Sequence, residues 1–386
     1  MRIAWVLYGS LEQRTGGTIY DAHVVDGLRR AGDDVHVVSI ASSESSESTD
    51  DDAMAARRGF RRTLPPIARA ATMAKAGLAL AGRMREIDPE VVVGDELCFR
   101  ELGIAFRRLG GGGGLLQRVL LVHHLTAWEL ELSPWRRRVI RAAERFAIDA
   151  SDAVIVTSRT TRERLVREGV RERIEVVLPG ADRLRGSERG SGSASGSGSG
   201  SGSERDVRVV FLGAVVARKR VVELVRAFGR GAHRGGRLAI VGSTARDPAY
   251  VAMVREAIAG LGLGGRVVMD GEVDENGVAT ALAHADVLVM PSTLEGYGIA
   301  ATEAIHAGVP VIAARAQGLE EALGPCPAAA LFADDEHALA SALERFASDS
   351  TLRASMKEAA RAASSRMPTW SECAERFRAA LGGGTR

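Results

Sequence analysis

The sequence predicts an α/β protein of two domains, each a parallel sheet with helices on both faces, opposed across a cleft. Three observations carry this. Short apolar runs alternate with amphipathic stretches, the pattern of βαβ units. The pattern occurs twice, on either side of a low-complexity stretch, Gly186 to Ser203, made almost wholly of Gly and Ser. Such a composition cannot order itself around a core. A chain of 386 residues also exceeds what one ordinary core holds.

Ile3 to Tyr8 reads as the first strand, followed by the turn Thr15-Gly16-Gly17-Thr18, a helix to about Arg30 and a strand from Val35 to Ile40. A Ser/Asp/Glu loop, Ala41 to Asp52, leads into helical sequence to about Met84. Val91 to Val93, Val119 to Val122 and Ala153 to Thr157 read as short buried strands, and Ile174 to Leu178 as the last before Pro179. Val207 to Leu212, Arg237 to Val241, Val267 to Met269, Val287 to Met290 and Val309 to Ala313 repeat the series. Thr369-Trp370-Ser371-Glu372 fits a capping box that opens a last helix to about Leu381. The expected domains are residues 1–182 and 207–365, joined by a flexible linker over 183–206, with 366–386 packing back on the first domain.

Composition sets further bounds. Apolar residues make up 46% and charged residues 26%, as in a globular protein. A net charge of +2, without a basic stripe interleaved with aromatics, gives no support to nucleic-acid binding. Cys98, Cys326 and Cys373 stand far apart with no CxxC spacing, which fits a reducing cytoplasm better than a disulfide framework. The start, MRIAWVLYGS, enters a strand at once, and no segment reaches the ~18 to 20 apolar residues of a membrane span. A cytoplasmic protein is expected. The basic helix around Trp135 to Arg145 reads as a solvated face, with contact to anionic lipid as the alternative.

Function concentrates in Ala285 to Ala314, ADVLVMPSTLEGYGIAATEAIHAGVPVIAA. Pro291 stops the apolar run Val287 to Met290, a polar loop follows to Gly298, and Gly308 ends the next helix. Gly296 and Gly298, around Tyr297 and before Ile299, make an anion site: free amides leave the helix end and glycine admits close approach. Glu295 and Glu303 cannot themselves ligate phosphate. They suit neutral hydroxyls beside it, as on a ribose or a sugar phosphate. A glycosidase acid–base pair is the alternative; one helix would hold them ~12 Å apart. Glu295 precedes the helix, so that distance stays open.

Arg218-Lys219-Arg220 precedes a helix from Val221 to Phe228. Cations there oppose the helix dipole unless an anion lies between them, and a diphosphate fits; a solvated basic turn is the other reading. Lysine occurs only at 75, 219 and 357, which singles out Lys219. Gly16-Gly17 forms a second tight turn facing the cleft. His123-His124 follows a strand and could bond a sugar or relay a proton. Asp50-Asp51-Asp52 reads as solvated charge rather than a metal site.

The segment Pro291 to Val311 resembles the donor-site motif of the family 4 glycosyltransferases of GT-B fold, in which two glutamates eight apart bracket E-G-Y/F-G. Thr15-Gly16-Gly17, Val122-His123-His124, Leu178-Pro179-Gly180-Ala181-Asp182, Phe211-Leu212-Gly213, Arg218-Lys219 and Ile240-Val241-Gly242 continue the resemblance over nearly the whole chain outside the Gly/Ser stretch. It implies two Rossmann-like domains and a retaining transferase that takes a UDP-, GDP- or ADP-linked sugar. The acceptor would be a glycan, a lipid-linked group or a small molecule, and neither metal nor other cofactor is expected. By resemblance Glu303 holds the ribose, Glu295 lies by the transferred sugar, and the amides of Gly296 to Ile299 approach sugar and phosphate. Lys219 with Arg218 neutralises the diphosphate, Gly16-Gly17 closes over the donor, and His123 or His124 contacts the sugar. Two positions depart: Ala214 stands where arginine is frequent, and Arg220 where glycine usually follows the lysine. A sugar-nucleotide epimerase, a phosphorylase and a catalytically silent sugar-nucleotide-binding protein are the competing readings. A phosphorylase is disfavoured, since it would need a further lysine for pyridoxal.

Overall fold

The computed structural model describes residues 1–40, 66–110, 116–130, 132–184, 206–231 and 235–382, with side chains of the second segment from 74 onward. The Ser/Asp/Glu loop with Asp50 to Asp52, the glycines after Gly110 and the Gly/Ser stretch lie outside the described residues.

The first half interleaves strands β1 (Arg2–Tyr8), β2 (Asp34–Ile40), β3 (Val91–Asp95), β4 (Gln117–Val122), β5 (Ala153–Val156) and β6 (Arg173–Val176) with, among the described residues, five α-helices. These are α1 (Gly16–Arg30), α2 (Pro66–Ile87), α3 (Phe99–Leu109), α4 (Pro134–Ile148) and α5 (Arg159–Arg167). The second half carries β7 (Arg208–Leu212), α6 (Val221–Gly231), β8 (Arg237–Val241), α7 (Pro248–Gly260), β9 (Val267–Gly271), α8 (Glu275–His284), β10 (Val287–Met290) and α9 (Ile299–His306). It continues through β11 (Val311–Ala313), α10 (Gln317–Leu323), β12 (Ala330–Phe332), α11 (Glu336–Ser348), α12 (Ser350–Ala363) and α13 (Trp370–Gly382). The short β12, at the sheet edge, has no counterpart in the sequence reading.

Both six-stranded sheets are parallel, ordered β2-β1-β3-β4-β5-β6 and β12-β11-β10-β7-β8-β9. Strand alternation assigns the cores. Ile3, Trp5 and Leu7 face Val24, Leu28, Trp370, Phe377 and Leu381, so α13 packs onto the first sheet beside α1. Ala4 and Val6 point the other way, among Met84, Leu102, Phe106 and Ile140. In the second sheet Phe211, Ile240 and Val289 meet α6 and α11, while Leu212, Leu288 and Met290 meet α9 and α10.

The chain passes between the two halves near residue 182 and returns near 368, and the two passages are tied together. The Ala181 amide donates to the Pro368 carbonyl at 2.8 Å, and the Trp370 amide to Asp182 Oδ1 at 2.8 Å. A Cβ on Gly180 would overlap the Trp370 backbone. A second tie crosses the cleft. Glu321 of α10 accepts from the Arg159 and Thr160 amides at 2.9 and 3.0 Å, capping α5 from the opposite half. Glu321→Ala is expected to cost about 1 kcal/mol of stability, measured as a lowered melting temperature.

Candidate active site

In each sheet the strand order reverses once, between β1 and β3 and between β7 and β10. Loops at the carboxyl ends of these strands diverge and leave a crevice. The two crevices form one cleft, with adjoining cavities of about 460 and 540 Å³. Gly16, Gly213, Ala214, Lys219, Glu295, Gly298 and Ile299 line both.

Lys219 and Glu295 mark the junction. Lys219 ends a 3₁₀ turn after β7, Glu295 lies in the loop after β10, and the ammonium donates to Glu295 Oε1. Burial pushes the Lys219 ammonium down, against the pull of Glu295. Burial also favours a neutral Glu295, but the charges of Lys219 and Arg218 outweigh it and hold that carboxyl below its ordinary range. Gly298 takes φ +103° and starts α9 without a side-chain cap, so the first turn of the helix meets the cavity through backbone.

Glu303 and Arg183 stand at the far end of the first cavity, with His23, Gly242 and Glu275. Glu303 is 3% exposed. The Arg183 guanidinium grips it with two bonds, Nε to Oε1 at 2.7 Å and Nη2 to Oε2 at 3.0 Å, and reaches Glu275 at 3.3 Å. Arg183, expected to open the flexible linker, is instead part of the cavity wall. Burial raises the Glu303 carboxyl, with Arg183 opposing. The second cavity holds Asp95, His123, His124, Glu129, Arg218, Arg246, Gly296 and Tyr297.

Residues 15–185 match the family model described as Glycosyltransferase Family 4, and residues 200–363 match Glycosyl transferases group 1. The chain belongs to the family 4 glycosyltransferases. Its fold is the GT-B fold, shared over the whole length with solved structures. Sucrose-phosphate synthase from Thermosynechococcus elongatus is 19% identical, covering 99% of this chain and 98% of its own, with a TM-score of 0.76. HepE of Anabaena, solved with UDP-glucose, is 17% identical at 99% of each chain, TM-score 0.69. The α,α-trehalose-phosphate synthase (UDP-forming) from Burkholderia xenovorans, solved with glucose-6-phosphate, is 15% identical, covering 99% of this chain and 100% of its own, TM-score 0.70. No curated protein matches the chain by sequence.

In this glycosyltransferase the residues singled out from sequence line the same cleft. Gly16 and Gly17 open α1, where Thr15 and Thr18 form a capping box. A Cβ on Gly17 would come within 3.2 Å of the His123 ring, and one on Gly296 would overlap the His123 carbonyl. Glycine at 296 thus lets the two halves touch. His124 turns elsewhere, 3.5 Å from Glu129. Arg218 stays in the cleft, bonded to the Leu294 carbonyl at 3.0 Å and 3.8 Å from Glu129. Arg220 leaves it, donating to the Asp334 carbonyl at 3.0 Å, outside both cavities. Its φ of +53° is left-handed, which explains the glycine usual at that place. Arg246, unmarked by the sequence reading, lines the second cavity together with Ala214 and Arg218.

His123 rests on buried carboxylates. Its Nε2 lies 3.5 Å from Asp21 Oδ1 and 3.8 Å from Asp95 Oδ2, and its amide donates to Glu96 at 3.1 Å. Among the described residues Asp21, Asp95 and His123 place their ligand atoms within 4.8 Å of one another, close enough to hold a cation. A proton meets the same need. Burial disfavours the imidazolium, but Glu96, Asp21 and Asp95 outweigh it and push the His123 pKa from 6.5 up to about 9. A raised histidine pKa contributes stability that is whole below 6.5 and disappears as pH rises through about 9. Asp21→Asn is therefore expected to flatten the loss of stability between pH 6.5 and 9, measured by urea unfolding at the two pH values.

Proposed function

We propose that this glycosyltransferase moves a sugar from a nucleoside diphosphate to an acceptor with retention of anomeric configuration. The supporting observation is the order of groups along the cleft. Glu303 lies at one end with small residues and carboxylates, Lys219, Glu295 and Gly16 at the junction, and His123 with Gly17 beyond. That order suits a nucleoside, a diphosphate and a sugar in succession. Ribose hydroxyls would take the Glu303 oxygens and displace part of the Arg183 grip. The diphosphate would meet Lys219, with Arg218 and Arg246 beside it and the first amides of α9 on its other side. The sugar would lie between Glu295, the Gly296-Tyr297-Gly298 loop and His123.

Bond breaking leaves negative charge on the diphosphate, and a fixed cation in a partly dry cleft stabilises it as it forms. A donor phosphate oxygen would then accept the acceptor's proton on the face the leaving group vacates, which keeps the configuration. This chemistry uses neither a metal nor another cofactor. UDP is the first nucleotide to try, because two of the similar structures are solved with UDP-glucose or named as UDP-forming.

The test is thermal stability with UDP, GDP and ADP and their sugar conjugates, followed by NMR of the anomeric proton of the product. A nucleotide at a hundred times its dissociation constant should stabilise by about 2.7 kcal/mol. A shift for one base with an axial-to-axial product is expected. No shift for any nucleotide sinks the donor assignment, an inverted product sinks retention, and binding without turnover favours the silent reading.

A further inference from the structure

Helix α4 buries Ile140, Glu144, Ala147 and Ile148 against the first half. A second apolar line runs along its outer side. Trp135, Val139, Ala142 and Phe146, spaced i, i+4, i+7 and i+11, are all exposed, Trp135 at 68% and Val139 at 60%. Leu130, 69% exposed, extends the line beyond the helix start. Water is a poor partner for such a stripe.

Among the described residues, the exposed charges that flank it on the helix are arginines. Arg136, Arg138 and Arg141 are exposed, and the Arg107 guanidinium lies 4.8 Å from the Phe146 ring. The helix's one acidic residue, Glu144, is buried on the inner side. Arg137 is engaged with the carbonyls of Glu129, Leu130 and Leu132, and Arg145 with Asp149 at 2.6 Å. Among the described residues no helix is long and apolar enough to cross a membrane. An apolar line between arginines suits a surface that offers hydrocarbon under phosphate. A second copy fits worse, because a two-fold contact would set these arginines against their own equivalents.

We propose that α4 seats the protein on an anionic lipid bilayer, with Trp135, Val139 and Phe146 entering the headgroup boundary and Arg136, Arg138 and Arg141 meeting lipid phosphates. Leu130 follows Glu129, which faces His124 and Arg218 inside the cleft, so the seated bilayer lies beside the cleft mouth. The docking uses no residue of the proposed donor site and stands apart from that reading.

Three of the four tryptophans are buried: Trp5 at 0%, Trp128 at 4% and Trp370 at 5%. A change in intrinsic fluorescence on adding vesicles therefore reports Trp135. With the full chain and no nucleotide, vesicles of equal phosphatidylglycerol and phosphatidylcholine should give a blue shift and co-sedimentation, and pure phosphatidylcholine neither. Trp135→Ser with Val139→Ser, and separately Arg138→Gln with Arg141→Gln, should each lower the partition at least about tenfold with unchanged circular dichroism and melting temperature. Absence of a blue shift overturns the proposal, as does equal binding to neutral vesicles or by the variants. A concentration-dependent dimer that Trp135→Ser dissolves would overturn it too, by giving the face to a second copy.

Discussion

Lys219→Met is expected to lower kcat by about 10²- to 10³-fold, the loss seen when one preorganised charge-stabilising group leaves a site where anionic charge develops. It should also destabilise the protein, because the Glu295 side chain is only 9% exposed and its carboxylate is held by the Lys219 and Arg218 charges. The two effects separate in the double variant Lys219→Met/Glu295→Gln. Removing both charges restores most of the melting temperature and leaves turnover as low as in the single variant. Recovery of turnover along with stability would show that Lys219 acts only as a structural partner. Nucleoside diphosphate release with saturating donor is the measurement.

Arg183→Met should be the most destabilising single change in the cleft, by about 3–5 kcal/mol at neutral pH, as expected when one side of a buried ion pair is removed. Glu303 would remain 3% exposed without its bidentate partner. The sign of the pH dependence follows from burial, which already raises the Glu303 carboxyl above 4.5 and would raise it further without Arg183. Above 4.5 the folded form then holds a proton the unfolded chain has released, so stability falls as pH rises and is recovered on acidification. The deficit against wild type should be small near pH 4.5 and grow through the raised folded value. A deficit independent of pH would mean that Arg183 contributes packing alone.

Much of this was legible in the residues. The strands are apolar runs bounded by Gly and Pro, and their alternation fixed the fold class because parallel strands buried on both faces have little other composition. Glu295 and Glu303 stood out as carboxylates in an apolar or glycine-rich setting, and Lys219 as one of three lysines, placed among cations before a helix. Arg183 did not, since it opens a run of Arg, Gly and Ser and meets its partner 120 positions away. Asp21 and Asp95 match no motif in the sequence, although Asp21 shares an inward helix face with Val24, Val25 and Leu28. That placement was the available signal. The α4 stripe was visible too, as apolar residues at helical spacing among arginines. Only the fold shows that this line faces outward, because the helix has another apolar side to bury.

The paired passages near residues 182 and 368 decide how the cleft can breathe. Both chain crossings lie at one place and are bonded to each other, so that place acts as a fulcrum. The halves are free to swing about it and are poorly suited to slide past each other. Glu321 on the Arg159 and Thr160 amides then works as a catch away from the fulcrum, and its release sets how readily the jaw opens. A mutation at the catch should alter how fast product leaves while sparing the bond-making step, and one at the fulcrum should disturb the whole arc of motion.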